Sequence, residues 1–514
     1  DSILYKNLNI HYYDKLRVRP NMLYRWMNYQ QFVRSKQMRA SNRTRLYSQY
    51  RQEQVQEKLS QLGIFSYLDM QYAPRDTTAA CDTLDVTMQA TFAKPLDAEL
   101  ELNVVTKSND QTGPGASFGV TRNNVFGGGE SWNVKLKGSY EWQTGGGEKS
   151  SLMNSWEMGL STSLTFPRVV FPHLGKREFD FPATTTFRLY INQLNRAKYY
   201  KLLSFGGNAT YDFQPSRTSR HSITPFKLTF NVLQHQSEDF KEIAEANPAL
   251  YVSLRNQFIP AMEYTYTYDN ASVRRIKNPI WWQSTVTSAG NITSLIYRAF
   301  GKPFNEEDKS LLGAPFAQFV KLNTELRHLW NIDKNNAIAS RMAVGALFTY
   351  GNATIAPYSE QFYVGGANSI RAFTVRSVGP GGYHPEEGKY SYLDQTGTFR
   401  FEANVEYRFR IFKSFWGATF LDAGNVWLLR KDRKLLADGT EARPNSQLRL
   451  KTFPKQIALG TGVGIRYDMD ILVFRLDFGI PLHLPYDTDR SGYYNVTGAF
   501  LKNLGIHFAI GYPF

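Results

Sequence analysis

Cysteine is almost absent. Cys81 is the single one in 514 residues, so neither an intramolecular disulfide nor a cysteine-based zinc site can form. Long apolar runs are missing too: mean hydropathy is -0.42, and a spanning helix needs about 20 mostly apolar residues, which excludes a helical membrane protein. The eight histidines are scattered without H-E-x-x-H or other ligand spacing, so no metal centre or cofactor is expected. Gly115-Ala116-Ser117-Phe118-Gly119 has the wording of a hydrolase elbow but lies in a strand-like segment rather than a strand-to-helix turn. Gly460-Thr461-Gly462-Val463-Gly464 resembles a phosphate loop, yet no helix follows it and it alternates with Leu459, Val463, Ile465 and Tyr467 as a barrel strand would, so it reads as small residues clearing space inside a barrel. No Ser/His/acid set accompanies either motif, so no catalytic residue is assigned and an enzyme is not expected.

Aromatic residues are abundant, 75 in all, which argues against disorder. What remains is a β-rich soluble protein or a membrane β-barrel, whose one-sided strands average to a polar composition.

Two regions are distinguished. Residues 1–94 mix helix and strand. Residues 7–13 read as a strand, and a helix follows Pro20 with Leu23, Trp26 and Met27 at helical spacing. A second helix spans 51–62, with Val55, Leu59 and Leu62 on one face and Gly63 as its C-terminal cap. Strands at 66–72 and 83–92 complete a β-α-α-β-β order. The region is strongly basic: residues 1–51 carry eleven Lys and Arg against Asp1 and Asp14, a local charge of +9. That charge fits a solvated face, anionic lipid headgroups or an acidic partner beside a membrane. Nucleic acid is not expected, because no recognition module accompanies the charge. The chain opens at Asp1 in a segment that already reads as folded, and is taken as a mature or trimmed chain.

From about residue 95 the hydrophobic period becomes two. Trp132, Val134, Leu136, Tyr140 and Trp142 alternate with Asn133, Lys135, Lys137 and Glu141; Phe399 through Ile411 alternate with Arg400, Glu402, Asn404, Glu406, Arg408 and Arg410. Such segments are placed near 98–107, 115–123, 131–142, 155–166, 184–195, 199–213, 222–236, 257–269, 281–291, 316–331, 336–350, 396–411, 415–427, 456–469, 471–482 and 499–514. Sixteen strands of roughly ten or more residues suit an antiparallel transmembrane β-barrel over 95–514; a soluble sandwich would have strands of about 5 to 6. Inward charges at Arg400, Glu406 and Arg410 imply a water-filled lumen.

Three segments fall outside ordinary strand patterning: Phe362 to Phe373, which precedes a Gly/Pro-rich stretch at 378–383 in the long loop 352–395; Phe420-Leu421-Asp422-Ala423-Gly424-Asn425-Val426-Trp427; and the C-terminal alternation ending on Phe514. Together they resemble the BamA/TamA superfamily of outer-membrane assembly and translocation proteins. Ile370-Arg371-Ala372-Phe373 is similar to that family's lumen-loop [VI]-R-G-[FY] motif, with Ala372 in place of the glycine. The resemblance implies that Arg371 pairs with Asp422 of an F-x-D element beginning at Phe420, anchoring the loop inside the barrel. Asn124 to Gly129 looks like the family's turn between its second and third strands, and residues 1–94 resemble one periplasmic POTRA domain, able to bind an extended chain by edge addition. The wording around Arg371 and Asp422 is nearest to the TamA-like TamL lipoproteins, which implies a lipid-bearing cysteine ahead of Asp1.

A barrel that inserts other barrels needs a lipid-facing edge with unpaired backbone groups. The first and last strands supply it, with Leu100, Leu102 and Val104 facing lipid on one and Ile506, Phe508, Ile510, Tyr512 and Phe514 on the other. The resemblance implies nascent outer-membrane proteins as clients, outer-membrane lipid as surroundings and a TamB-like periplasmic partner. A BamA-type core assembly factor, a lipid-transport partner of a TamB-like protein and a passive porin remain alternatives.

Overall fold

The computed structural model describes residues 1–27, 47, 49–78, 81, 83–106, 111–143, 155–171, 182–196, 200–238, 241, 256–271, 276–301, 303, 310–311, 314–351, 356–385, 395–431, 441–469, 472–490, 492–498 and 503–514. The N-terminal region opens with an antiparallel hairpin, β1 (Ser2–Tyr5) and β2 (Leu8–His11), followed by helices α1 (Pro20–Met27) and α2 (Gln49–Gln61) and a second hairpin, β3 (Phe65–Pro74) and β4 (Leu84–Phe92). The order is therefore β-β-α-α-β-β. The extra strand escaped sequence reading because it is only four residues long, joined to β2 by a tight turn at Lys6 with φ of 58°. Val55 and Leu59, one helical turn apart on α2, bury against Met70 of β3, while Ile10, Val18, Met22, Leu23 and Ile64 form an adjoining cluster; Trp26, Leu62, Phe65 and Met88 touch both. Gln52 and Gln56 of α2 donate side-chain hydrogen bonds to the Met70 and Leu68 carbonyls at 3.0 and 3.1 Å, which fixes the helix along β3.

The rest of the chain is dominated by one antiparallel sheet of sixteen strands. In chain order these are β5 (Leu96–Thr106), β6 (Gln111–Asn123), β7 (Ser131–Gln143), β8 (Ser155–Phe166), β9 (Ala183–Arg196), β10 (Tyr200–Phe213), β11 (Ser219–Gln236), β12 (Gln257–Asp269) and β13 (Ile280–Ala289). After a small hairpin of β14 (Ser310–Leu311) and β15 (Ala314–Pro315) come β16 (Phe319–Asn331), β17 (Asn336–Thr349), β18 (Phe399–Phe412), β19 (Phe415–Trp427), β20 (Ala458–Asp468), β21 (Val473–His483) and β22 (Gly505–Ile510). Every strand pairs with its sequence neighbour in the sheet, β13 pairing directly with β16. All sixteen expected strands are present, and those at 155–166, 257–269 and 415–427 match to the residue. The last is much shorter than expected, stopping at Ile510 rather than Phe514.

Period two sorts the side chains between the faces. Trp132, Leu136 and Tyr140 of β7, like Leu100 and Leu102 of β5, are exposed on the outer face. On the same strands Lys135 and Lys137 lie on the inner face and pair with Glu101 and Glu157 at 3.3 and 2.6 Å, all four side chains remaining substantially exposed.

Candidate functional site

The long connection between β17 and β18 does not stay at the barrel rim. Its tip descends against β18 to β21, where Val364, Ile370, Ala372, Phe373 and Val378 join Val426 and Ala458 in one buried apolar cluster. A tight reversal sets the tip: Gly366 N–H donates to the Phe373 carbonyl at 2.8 Å, and Phe373 N–H to the Ile370 carbonyl at 3.1 Å.

Arg371, 1% exposed, is the centre of the contact. Its Nε and Nη2 donate to Asp422 Oδ2 and Oδ1 at 2.8 and 2.9 Å, and its own backbone N–H adds a third bond to Oδ2 at 3.0 Å. The guanidinium lies 3.6 Å over the Phe420 ring, so both members of the F-x-D element touch it, one by charge and one by its π face. Nη1 donates to Glu406. Glu406, fully excluded from solvent, is also bound by Arg408 at 2.7 Å and Arg466 at 3.1 Å. Asp477 lies 2.6 Å from Arg466, 3.3 Å from Arg475 and 3.9 Å from Arg371. Asn404 donates from Nδ2 to Asp422 at 2.9 Å and to the Ser369 carbonyl at 2.7 Å, and Arg475 reaches the Ala367 carbonyl at 2.9 Å and Asn368 Oδ1 at 2.6 Å. A flanking cluster extends the seal: Ser369 Oγ donates to Glu402 at 2.6 Å, and Arg341 bridges Glu402 and Glu325 at 3.1 and 3.0 Å.

The expectation of a water-filled lumen therefore needs correction. It holds beside β5 to β8, where the inner ion pairs stay exposed, but beside β17 to β21 the charges are dry and neutralised by one another. Carboxylates are tolerated there because each meets at least one guanidinium group in place of solvent, Asp422 that of Arg371 and Glu406 those of Arg371, Arg408 and Arg466. Arg400 fits this pattern, contacting Glu402 at 3.3 Å and Asn323 at 2.8 Å. Arg410 does not: it is exposed at the β18–β19 turn and donates to the Lys413 carbonyl.

Space for the loop comes from glycine. A Cβ built on Gly460 of β20 would stand 2.4 Å from the Ala372 methyl, and one on Gly479 of β21 would stand 2.6 Å from the Arg371 carbonyl oxygen. The Gly460 to Gly464 segment thus clears room in the lumen, and the Ala372 departure from the family motif is accommodated by the missing side chain opposite it.

At the seam, β5 and β22 are the two edges of the sheet, and no ladder joins them among the described residues. Leu100 and Leu102 on β5 are 67% and 74% exposed, and Ile506 and Phe508 on β22 are 58% and 61%. The side chains of Val104 and Ile510 lie outside the described residues. Phe514 differs from expectation: β22 ends at Ile510, Gly511 takes φ of 86°, and the tail turns inward, so that Arg408 stacks over Tyr512 at 4.2 Å and donates to the Phe514 carbonyl at 3.3 Å. Only glycine enters that backbone region freely, and this ends the strand. Sequence reading missed His507, whose ring nitrogen lies 2.7 Å from the Arg371 carbonyl and joins the last strand to the loop tip. It also missed the counter-charges Arg466, Arg475 and Asp477; alternation marked their strands as one-sided but could not say which neighbours meet the loop.

Sixteen antiparallel strands, an exposed apolar outer face and an ion-paired loop inside define an outer-membrane β-barrel whose lumen is occupied by its own chain. The Omp85 superfamily domain model matches residues 124–514, and the chain belongs to that superfamily. Among solved structures it is similar to BamA from Haemophilus ducreyi lacking POTRA domains 1–3, at TM-score 0.59 and 13% identity, covering 96% of this chain and 81% of that one. CdiB from Acinetobacter baumannii matches with TM-score 0.46 and 12% identity over 90% of this chain and 68% of that one.

Proposed function

We propose that the protein is a TamA-like, TamL-type assembly or translocation factor that receives nascent outer-membrane proteins at the seam between β5 and β22, with residues 1–94 as a POTRA-like periplasmic domain. The observation that carries this reading is the pair of sheet edges, β5 and β22, that no ladder joins among the described residues: β22 is laddered to β21 over Gly505 to Ile510, and apolar side chains stand outward on both edges. Unpaired N–H and C=O groups in an apolar medium are costly, so an incoming strand that completes the ladder is strongly favoured. Lowering an insertion barrier in this way is templating rather than chemistry, and no catalytic residue is needed. The loop that fills one side of the lumen weighs against a passive porin.

The test places a photo-cross-linking residue at Leu102 and identifies adducts in cells by mass spectrometry. Adducts to the last strand of nascent outer-membrane proteins are the expected result. Capture of only lipid or a TamB-like protein would replace the insertion reading with lipid transport.

A further inference from the structure

The wall of the barrel farthest from the seam carries a helix turned inside out. The β6–β7 turn lies against the N-terminal region, where Arg19 N–H donates to the Gly127 carbonyl at 2.7 Å, so by strand alternation β13 runs away from that region. β13 is ninth of the sixteen strands, midway between the sheet edges, and it leads through Gly290, φ 70°, into a helix, α3 (Asn291–Ala299). The polar side of α3 faces the protein. Asn291 Oδ1 accepts from Tyr350 Oη at 2.8 Å and Gln318 Nε2 at 3.1 Å, the fully buried Ser294 donates to Gln318 Oε1 at 2.9 Å, and the Tyr297 hydroxyl donates to the Ser310 carbonyl. These contacts recur every three residues, so the helix is held along its length against the rim and does not project from it. Its other side is apolar: Ile292, Leu295, Ile296 and, just past the last turn, Phe300 are 46%, 61%, 51% and 84% exposed. A helix packed on a core shows the reverse arrangement, with its apolar face inward.

The strands beneath say which medium covers that face. Val286 of β13 pairs with Leu322 of β16, and both, like Phe348 of β17, stand exposed on the outer, lipid-facing side of the barrel. Ser288, the next outward position on β13, is closed off by Asn291 Nδ2, which donates to its hydroxyl at 2.7 Å, and α3 then resumes the apolar series. A face continuous with the lipid-facing wall is covered by the same medium. The composition agrees: α3 contains no carboxylate, and its one charged residue, Arg298, is exposed on the last turn. From there a long side chain keeps its stem among acyl chains and its guanidinium among headgroup phosphates.

We propose that α3 is an interfacial lipid-binding helix: it lies flat at the headgroup boundary of the leaflet away from the N-terminal region, with Ile292, Leu295, Ile296 and Phe300 among the acyl chains. The helix fixes the depth of the wall opposite the seam. It does so whether or not a client enters between β5 and β22.

The experiment labels the full chain, in a Cys81→Ser background, with an environment-sensitive fluorophore at Leu295→Cys and reconstitutes it in phosphatidylcholine/phosphatidylglycerol nanodiscs, where water reaches both faces. Lys451→Cys, exposed on the β19–β20 connection at the same end of the barrel, is the aqueous reference. The expected result is quenching at position 295 by lipid carrying a doxyl group near the carbonyl end of its acyl chain, with iodide quenching several-fold weaker than at position 451. Iodide quenching as strong as at the reference would overturn the proposal, because the face would then stand in water. Shielding from iodide without doxyl quenching would overturn it as well, and would assign the face to a second copy of the chain or another protein. If Leu295→Cys loses the heat-dependent gel mobility of a folded barrel, Ile292→Cys replaces it and is read by the same criteria.

Discussion

Ala372 and Gly460 occupy complementary halves of one space: the methyl group at the loop tip fills the volume where a Cβ on β20 would stand, 2.4 Å away. Gly460→Ala should therefore overpack the loop floor and destabilise the barrel by about 1–3 kcal/mol. Adding Ala372→Gly should recover most of that loss, because the two positions are in direct contact and their effects are not additive. Thermal unfolding in detergent of the two single variants and the double variant reads the coupling; additive losses would refute the shared space.

Arg371→Ala removes the counter-charge from Asp422 and Glu406 together. Breaking a buried pair by deleting one partner costs about 3–5 kcal/mol, so the loop tip should leave its floor and the small, flickering conductance of a plugged barrel should become large and steady. Planar-bilayer recording checks this, with Arg371→Lys expected to be intermediate because an ammonium group cannot span both Asp422 oxygens as a fork. Conductance unchanged from wild type in Arg371→Ala would show that the loop is held by its apolar contacts alone.

Cysteines at Val104 and Phe508, in a Cys81→Ser background, should cross-link across the seam and block activity, and reduction should restore it. Complete cross-linking with activity intact would rule out the seam as the route.

Gly511→Val forces a β-branched residue into a left-handed conformation, at a cost of about 1–2 kcal/mol. The tail should then straighten and Phe514 should leave Arg408. Labelling of a Phe514→Cys variant by a soluble maleimide should become faster in the Gly511→Val background; equal rates would mean that the inward turn does not depend on the glycine.

Much of this architecture was legible because a β-barrel writes itself in period two: one-sided apolar strands are a local signal, and all sixteen were recoverable from it. Arg371 and Asp422, 51 residues apart in the chain, came from motif resemblance, and their geometry then followed from the loop's descent. Neither local patterning nor motif could reveal that Arg466 and Arg408 neutralise Glu406, since that depends on which strand neighbours face the loop. Ser2–Tyr5 was too short to register against its background, and the inward tail was hidden because Gly511 interrupts a pattern that otherwise continues to Phe514.

The ionic brace around Arg371 is one-sided, and this makes the two borders of the seam mechanically unequal. β18 to β21 are cross-linked through Glu406, Asp422, Arg466 and Asp477 to a single buried loop, and His507 ties β22 into the same body through the Arg371 carbonyl. Among the described residues of β5 to β8, the inner-face pairs of Lys135 with Glu101 and Lys137 with Glu157 are solvated and resist displacement weakly. If the proposed seam widens, the N-terminal strands are therefore expected to move, while the C-terminal border keeps its register against the buried loop.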